Sequence, residues 1–201
     1  MTDRQGGRKM KRTTKKKITD MAYIALMAVL IAICSWISIP GPVPFTMQTF
    51  GVFMAVGLLG GCRGTLAVLL YLFMGIIGIP VFSGFTAGIG HLLGTTGGYI
   101  AGFLFSALLM WLMEHFLGRK PWVLILSMVA GLLVCYLFGT IWFVAVYTAR
   151  TGPMGFWAAL MACVIPYIIP DLLKIALAFG LSESVGKLLQ KSHSAAGGDR
   201  T

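Results

Sequence analysis

The feature that most constrains the fold of this chain is a series of long apolar stretches. Residues 21–39 (MAYIALMAVLIAICSWISI) contain no charged side chain, and neither do residues 122–146. Each stretch is long enough to cross a hydrocarbon core about 30 Å thick as an α-helix. Membrane β-strands would instead alternate polar and apolar residues, which these stretches do not. The sequence therefore predicts an all-α integral membrane protein.

The composition of the chain excludes an ordinary soluble domain. Of its 201 residues, 58% are hydrophobic and 11% are charged, whereas charged residues make up about a quarter of a typical soluble domain. The length corresponds to one domain.

The apolar stretches predict six membrane-spanning helices in one membrane domain, residues 20–188. Prolines, glycines and short basic turns separate the stretches and mark the helix ends. The predicted helices cover residues 20–38, 46–59, 65–79, 99–116, 122–146 and 170–188, and a short interfacial helix covers residues 154–165. Residues 1–19 are predicted to form a disordered basic tail, and residues 189–201 a flexible tail.

The distribution of basic residues predicts that both termini are cytoplasmic. Eight of the 16 lysines and arginines fall within the first 17 positions, directly before the first apolar stretch. Lys and Arg in short flanking segments stay on the cytoplasmic side of a membrane. With the N-terminus inside, six helices leave Arg150 alone among the basic residues of the outer segments. A basic tail can also bind nucleic acid, but its position before a membrane helix favours the topological signal, so no nucleic-acid partner is predicted.

The sequence lacks the patterns of common catalytic and metal sites. Its four cysteines are far apart, and Cys, His and carboxylate residues do not cluster at the spacing of metal ligands. It contains no P-loop, no G-x-S-x-G and no H-E-x-x-H. We therefore expect no metal, no cofactor, no catalytic residue and no ATP hydrolysis by the chain itself.

Asp171 and Lys174 are opposite charges within a very apolar segment, YIIPDLLKIALAFG. A spacing of three places both on one face of a helix, and Pro170 fits the first turn of a helix. Asp171 would then lie near the positive end of the helix dipole, whereas Lys174 would be disfavoured there. Lys174 therefore needs an anion, which Asp171 or a ligand carboxylate can supply. A structural ion pair and a ligand site are both compatible with these residues, and intramembrane charges favour the ligand site.

Two other outer segments contain candidate binding residues. The segment PVPFTMQTFG includes Gln48, whose amide both donates and accepts, and Phe45 as an apolar wall. The segment GHLLGTTGGY offers polar and aromatic side chains, and glycines that let a ligand approach the backbone. Its candidates are His91, Thr96, Gly98 and Tyr99. Taken alone, a His or Tyr at a helix end is more often an interfacial anchor.

Ala25, Ala28 and Ala32 lie along one face of the first predicted helix. Small residues at this spacing permit close contact between helices. The face is a candidate interface for a partner protein, and ordinary internal packing is equally compatible with the spacing.

Three segments of the chain carry a resemblance to a known family. They read IPGPVPFTMQTFGVFMAVGLLG (39–60), FSGFTAGIGHLLGTTGGYIAGF (82–103) and IPYIIPDLLKIALA (165–178). Together they look like the BioY family, the biotin-binding S components of energy-coupling-factor (ECF) transporters, over residues 20–186. One departure is Thr95, where the family commonly has proline.

The resemblance implies an ECF S-component-like bundle of six helices in the plasma membrane of a prokaryote. Such a bundle would bind biotin near its outer face, as the transported ligand and not as a cofactor. The resemblance also implies a transmembrane coupling protein and two cytoplasmic ATPases as partners, and it strengthens the interpretation of the alanine face as an interface with them.

The resemblance further implies roles for the candidate residues. Asp171 would accept hydrogen bonds from the ureido N–H groups, and Lys174 would be a counter-ion for the carboxylate or a donor to the ligand. Gln48 and the backbone of residues 96–99 would complete the polar contacts, and Phe45 and Tyr99 would enclose the apolar part. Which end of biotin meets Lys174 is left open.

Two other functions remain as alternatives. The same scaffold could bind another carboxylate-bearing vitamin. A membrane-embedded enzyme could use Asp171 with His91 or Tyr99, although no nucleophile–base pair supports that chemistry.

Overall fold

A computed structural model describes residues 3–41 and 43–197, and this part of the chain is almost entirely helical. Its helices are α1 (Asp3–Trp36), α2 (Gln48–Leu59), α3 (Gly61–Ile76), α4 (Ile89–Leu92), α5 (Gly97–Leu117), α6 (Pro121–Arg150), α7 (Phe156–Cys163) and α8 (Ile165–Gly197). Two short strands, β1 (Ser38–Ile39) and β2 (Phe45–Thr46), pair as an antiparallel hairpin, and a 3-10 turn covers Ser83–Phe85. The predicted all-α class is confirmed.

Four helices of the described chain contain stretches long and apolar enough to cross a membrane. These stretches are Lys16–Trp36, Gly97–Leu117, Pro121–Arg150 and Ile165–Gly186. Many large apolar side chains on these helices face outward, among them Leu133 and Leu173, as expected for a surface in contact with lipid. The chain is therefore a multi-pass membrane protein. Helices α2 and α3 are also apolar but have 12 and 16 residues, fewer than the roughly 20 of a full span.

Both long terminal helices extend beyond the predicted membrane domain. Helix α1 begins at Asp3, so residues 3–19 are helical where a disordered tail was expected. Helix α8 continues to Gly197 through most of the segment expected to be flexible. Lys, Arg and Met favour helices, and extending an existing helix avoids the unfavourable nucleation step. Residues 1–2 and 198–201 lie outside the described part.

The start of the last helix also differs from the prediction. A helix beginning at Pro170 was expected, but α8 begins at Ile165 and contains Pro170 in its interior. Membrane helices tolerate an internal proline when neighbouring groups satisfy the freed carbonyl. A short helix, α7, covers Phe156–Cys163 within the segment 154–165 where an interfacial helix was expected.

The helices form one bundle in which α5 packs along α6, and α2 lies among α1, α3 and α8. Glycine allows the closest approaches. A Cβ atom on Gly64 would lie 2.4 Å from the Cα atom of Val56, so α2 and α3 touch backbone to backbone at this point.

Loops close the bundle at the end that carries the hairpin. The hairpin pairs Ser38 with Thr46 and Ile39 with Phe45. The apolar link after α3 is fixed to α6 through two carbonyl groups. Trp142 Nε1 donates to the carbonyl of Gly94 at 3.0 Å, and Arg150 donates to that of Leu93 at 3.1 Å. The link therefore folds against the bundle instead of extending into solvent.

Replacing Gly64 by alanine should destabilise the bundle by about 1–3 kcal/mol, the usual cost of overpacking, because the added methyl group would collide with the backbone of α2. Thermal unfolding of the purified protein in a single detergent measures the change. Gly180→Ala is the matched control, because Gly180 is also helical and has open space around it. The control should melt at the wild-type temperature or slightly above it. An unchanged melting temperature for Gly64→Ala would contradict the close packing.

Candidate functional site

A cavity of about 60 Å³ lies beneath the hairpin, between α2, α5, α6, α7 and α8. Most of its lining is apolar or aromatic, and its polar groups are concentrated on α8 and α2. Its lining residues include Phe45, Thr46, Gln48, Thr96, Tyr99, Cys135, Tyr136, Cys163, Tyr167, Asp171 and Lys174.

The centre of the site is an ion pair on α8. Lys174 Nζ lies 2.7 Å from Asp171 Oδ1, and the two side chains are only 5% and 6% exposed. Separating one of these charges from its partner would leave an uncompensated ion in a dry environment, at high cost. The pair is therefore a fixed polar element in an otherwise apolar wall.

Each member of the pair has further partners from other parts of the chain. Tyr136 of α6 donates its hydroxyl to Asp171 Oδ2 at 2.5 Å. Lys174 donates to the backbone carbonyl of Thr46 at 2.7 Å and lies 3.9 Å from the centre of the Phe45 ring. Lys174 thus has an anion, a carbonyl and an aromatic face as partners within the chain itself.

These contacts, and not the helix dipole invoked from the sequence, are the partners of the Asp171 charge. Because α8 begins at Ile165, Asp171 lies beyond the first turn, where the helix dipole acts most strongly. The partners of Asp171 are instead Lys174 and Tyr136.

The structure brings Gln48, Phe45, Thr96 and Tyr99 together around the cavity. Gln48 Nε2 donates to the hydroxyl of Tyr71 at 2.9 Å, which orients the amide.

The position of the Tyr99 ring depends on a glycine of α6. Its hydroxyl lies 3.1 Å from Thr140 Oγ1, and a Cβ atom on Gly139 would lie 2.2 Å from the Tyr99 ring. Glycine at position 139 therefore makes the space in which the ring lies against α6.

Two predicted site residues do not line the cavity. His91 lies on α4, where its ring stacks on Phe82 at 5.4 Å. Its partial burial lowers the pKa of the imidazole. A Cβ atom on Gly98 would lie 2.2 Å from the Cβ atom of Trp142, so this glycine allows α5 and α6 to pack closely. A binding role for His91 or Gly98 stays a prediction.

The sequence prediction missed Tyr136, Tyr167, Cys135 and Cys163, which all line the cavity. Tyr167 donates to the carbonyl of Val43 at 2.6 Å, and its ring stacks on Phe45. A signal for Tyr167 was present, because residues spaced by four and seven positions share a helix face with it, namely Asp171 and Lys174. The other three lie in apolar helices, where no sequence signal separates a cavity face from a lipid face.

The alanine face of α1 is mostly inside the protein. Ala28 and Ala32 are 0% and 3% exposed, and α1 packs against α2 and α3. These two alanines take part in internal packing, and their assignment to a partner interface stays a prediction. Ala25 is exposed.

No group of three or more His, Cys, Asp or Glu residues in the searched part of the chain could hold a metal ion. The site is instead a partly open, largely apolar cavity with a compact cluster of hydrogen-bonding groups. Fold and cavity together define a membrane protein with a binding site for a small, partly polar molecule.

Comparison with known proteins places the chain in a family. Residues 8–191 match the BioY family, so the chain belongs to the BioY family and the resemblance seen in the sequence is confirmed. The probable biotin transporter BioY of Pyrococcus horikoshii is 40% identical over 168 residues, which are 83% of this chain and 96% of the relative. The biotin transporter BioY of Thermotoga maritima is 37% identical over 164 residues, 81% of this chain and 93% of the relative.

A solved structure has the same fold. It is the crystal structure of the S-component for biotin from an ECF-type ABC transporter, and it superimposes with a TM-score of 0.76 at 26% sequence identity. The match covers 86% of this chain and 93% of that one.

Replacing Lys174 by methionine should destabilise the protein by about 3–5 kcal/mol, the usual effect of removing one partner from a buried ion pair. The double variant Asp171→Leu with Lys174→Met should be more stable than the single variant, because no unpaired charge remains. Thermal unfolding without ligand measures both.

The matched control is the exposed pair between Arg63 and Asp20, whose side chains are 44% and 29% exposed. Arg63→Met should cost less than about 1 kcal/mol. Equal losses for Lys174→Met and Arg63→Met would show that the α8 pair is not buried as described.

Proposed function

We propose that this chain binds biotin in the cavity beneath the hairpin and takes it up as the S component of an ECF transporter. The observation that carries the proposal is the buried Asp171–Lys174 pair in the wall of an apolar cavity, in a chain of the BioY family. The named relatives are biotin transporters.

The charge balance of the site supports one orientation of the ligand. Asp171 and Lys174 neutralise each other, and the described lining of the cavity contains no other cation. A ligand carboxylate would have to compete with Asp171 for Lys174. A neutral ureido ring would instead use the remaining lone pairs of Asp171 and one donor of Lys174. We therefore place the ureido ring at the pair and the carboxylate toward the mouth.

The remaining lining residues suit the rest of the molecule. Phe45 and Tyr99 would enclose the apolar sulfur ring, and Gln48 and Thr96 would add polar contacts. His91 and Gly98 have no direct role in this proposal, because neither borders the cavity.

The arrangement in the membrane forms part of the proposal. In addition to the four long helices, α2 and α3 would cross the membrane as shorter apolar spans, which makes six. An even number of spans and the basic N-terminal segment would place both termini in the cytoplasm, in the plasma membrane of a prokaryote.

The transport energy would come from other subunits. A transmembrane coupling protein and two cytoplasmic ATPases would drive uptake, because no nucleotide-binding motif is present in this chain. The exposed Ala25 on α1 is the part of the predicted alanine face that stays available to the coupling protein.

Asp171→Asn and Lys174→Ala should each weaken biotin binding by tenfold or more, since hydrogen bonds to charged groups contribute about 1.5–3 kcal/mol. Isothermal titration calorimetry on purified protein measures the affinity. Asp20→Asn and Lys120→Ala are the matched controls outside the cavity and should bind as the wild type does.

A ligand panel separates biotin from other carboxylate-bearing vitamins. Biotin should raise the melting temperature of the wild-type protein, whereas pantothenate and nicotinate should not, because only a ligand that binds the folded state stabilises it. Stabilisation by another vitamin and not by biotin would contradict the proposed substrate.

In the calorimetric test, unchanged biotin affinity in both Asp171→Asn and Lys174→Ala would contradict the proposed site.

A further inference from the structure

Tyr136 is a polar group of the cavity that the proposed contacts with biotin do not use. It lies on α6, whereas Asp171 lies on α8, and its hydroxyl forms a hydrogen bond of 2.5 Å to Asp171 Oδ2. A hydrogen bond from a hydroxyl to an ionised carboxylate is among the stronger hydrogen bonds in proteins.

The bond from Tyr136 fixes a degree of freedom that the ion pair leaves open. Lys174 holds Oδ1 at 2.7 Å and comes from the same helix, one turn away. With this contact alone, the carboxylate could still turn about its bond to Cβ, because the ammonium group of lysine has little directional preference. Tyr136 holds the second oxygen from a different helix, so the two contacts together fix the plane of the carboxylate.

Both oxygens keep acceptor capacity after these contacts. An ionised carboxylate has about four acceptor positions, and the two protein donors occupy one position on each oxygen. Asp171 and Tyr136 both line the cavity, so an additional donor can approach the carboxylate from there.

We infer that Tyr136 is a positioning residue that orients the Asp171 carboxylate toward the N–H donors of the ligand. The inference rests on the proposed function, since it assumes that the ureido ring meets Asp171. Tyr136 acts through Asp171 and needs no contact of its own with the ligand.

The first test is a double-mutant cycle on biotin affinity. Tyr136→Phe should weaken binding about tenfold, and the same change in the Asp171→Asn background should cost less than about twofold, because residues that act through one contact are not additive. Tyr167→Phe is the matched control. Tyr167 also lines the cavity, but its hydroxyl donates to Val43, so its effect should be the same in both backgrounds.

The second test observes the Asp171 carboxylate directly, by infrared spectroscopy. Infrared spectra of the wild-type protein and of Asp171→Asn are recorded without ligand. The carboxylate bands of Asp171 are those that the variant lacks. Tyr136→Phe should shift these bands, and Tyr167→Phe should leave them in place. The infrared measurement also tests the role of Tyr136 if the affinity of Asp171→Asn for biotin is too weak to quantify.

Additive losses of Tyr136→Phe and Asp171→Asn, unchanged affinity in Tyr136→Phe, or unshifted carboxylate bands would each overturn the inference. A purely structural role for Tyr136 would lower the melting temperature and weaken binding by the same factor in both backgrounds. Failure of the wild-type protein to bind biotin would contradict the proposed function. The infrared bands are measured without ligand, so they would still test the bond between Tyr136 and Asp171.

Discussion

The structure depends on satisfying two charges inside a membrane protein. Burying Asp171 and Lys174 on α8 is costly unless every charge has a partner. The partners come from three places in the chain, namely α8 itself, Tyr136 on α6 and the carbonyl of Thr46 in the hairpin. The ion pair therefore joins two membrane helices and the hairpin at one point, and the cavity forms where they meet.

The contacts of the Asp171–Lys174 pair suit a neutral polar group of a ligand. The pair is balanced, its donors and acceptors point in fixed directions, and the surrounding walls are apolar. The walls need close packing, which glycines allow. Gly139 leaves room for the Tyr99 ring, and Gly98 lets α5 approach Trp142. A ligand that can both donate and accept at one end and is apolar beyond it matches this arrangement.

Much of this protein could be predicted from its sequence, because hydrophobic length and charge are strong signals in a membrane protein. The four long membrane helices and the placement of Asp171 and Lys174 on one helix face followed from those signals. The start of α8 did not, because Pro170 is compatible with both the first turn and the interior of a membrane helix. Tyr136 was missed because a tyrosine in an apolar helix resembles a lipid-facing anchor. The burial of Ala28 and Ala32 was not predicted, because small residues mark internal and external helix contacts alike.

The most direct test of the account is an experimental structure of the purified protein with biotin bound. The account predicts the ureido ring within hydrogen-bonding distance of Asp171, with the pair to Lys174 intact and the carboxylate toward the mouth of the cavity. Biotin bound with its carboxylate on Lys174, or bound outside the cavity beneath the hairpin, would contradict it.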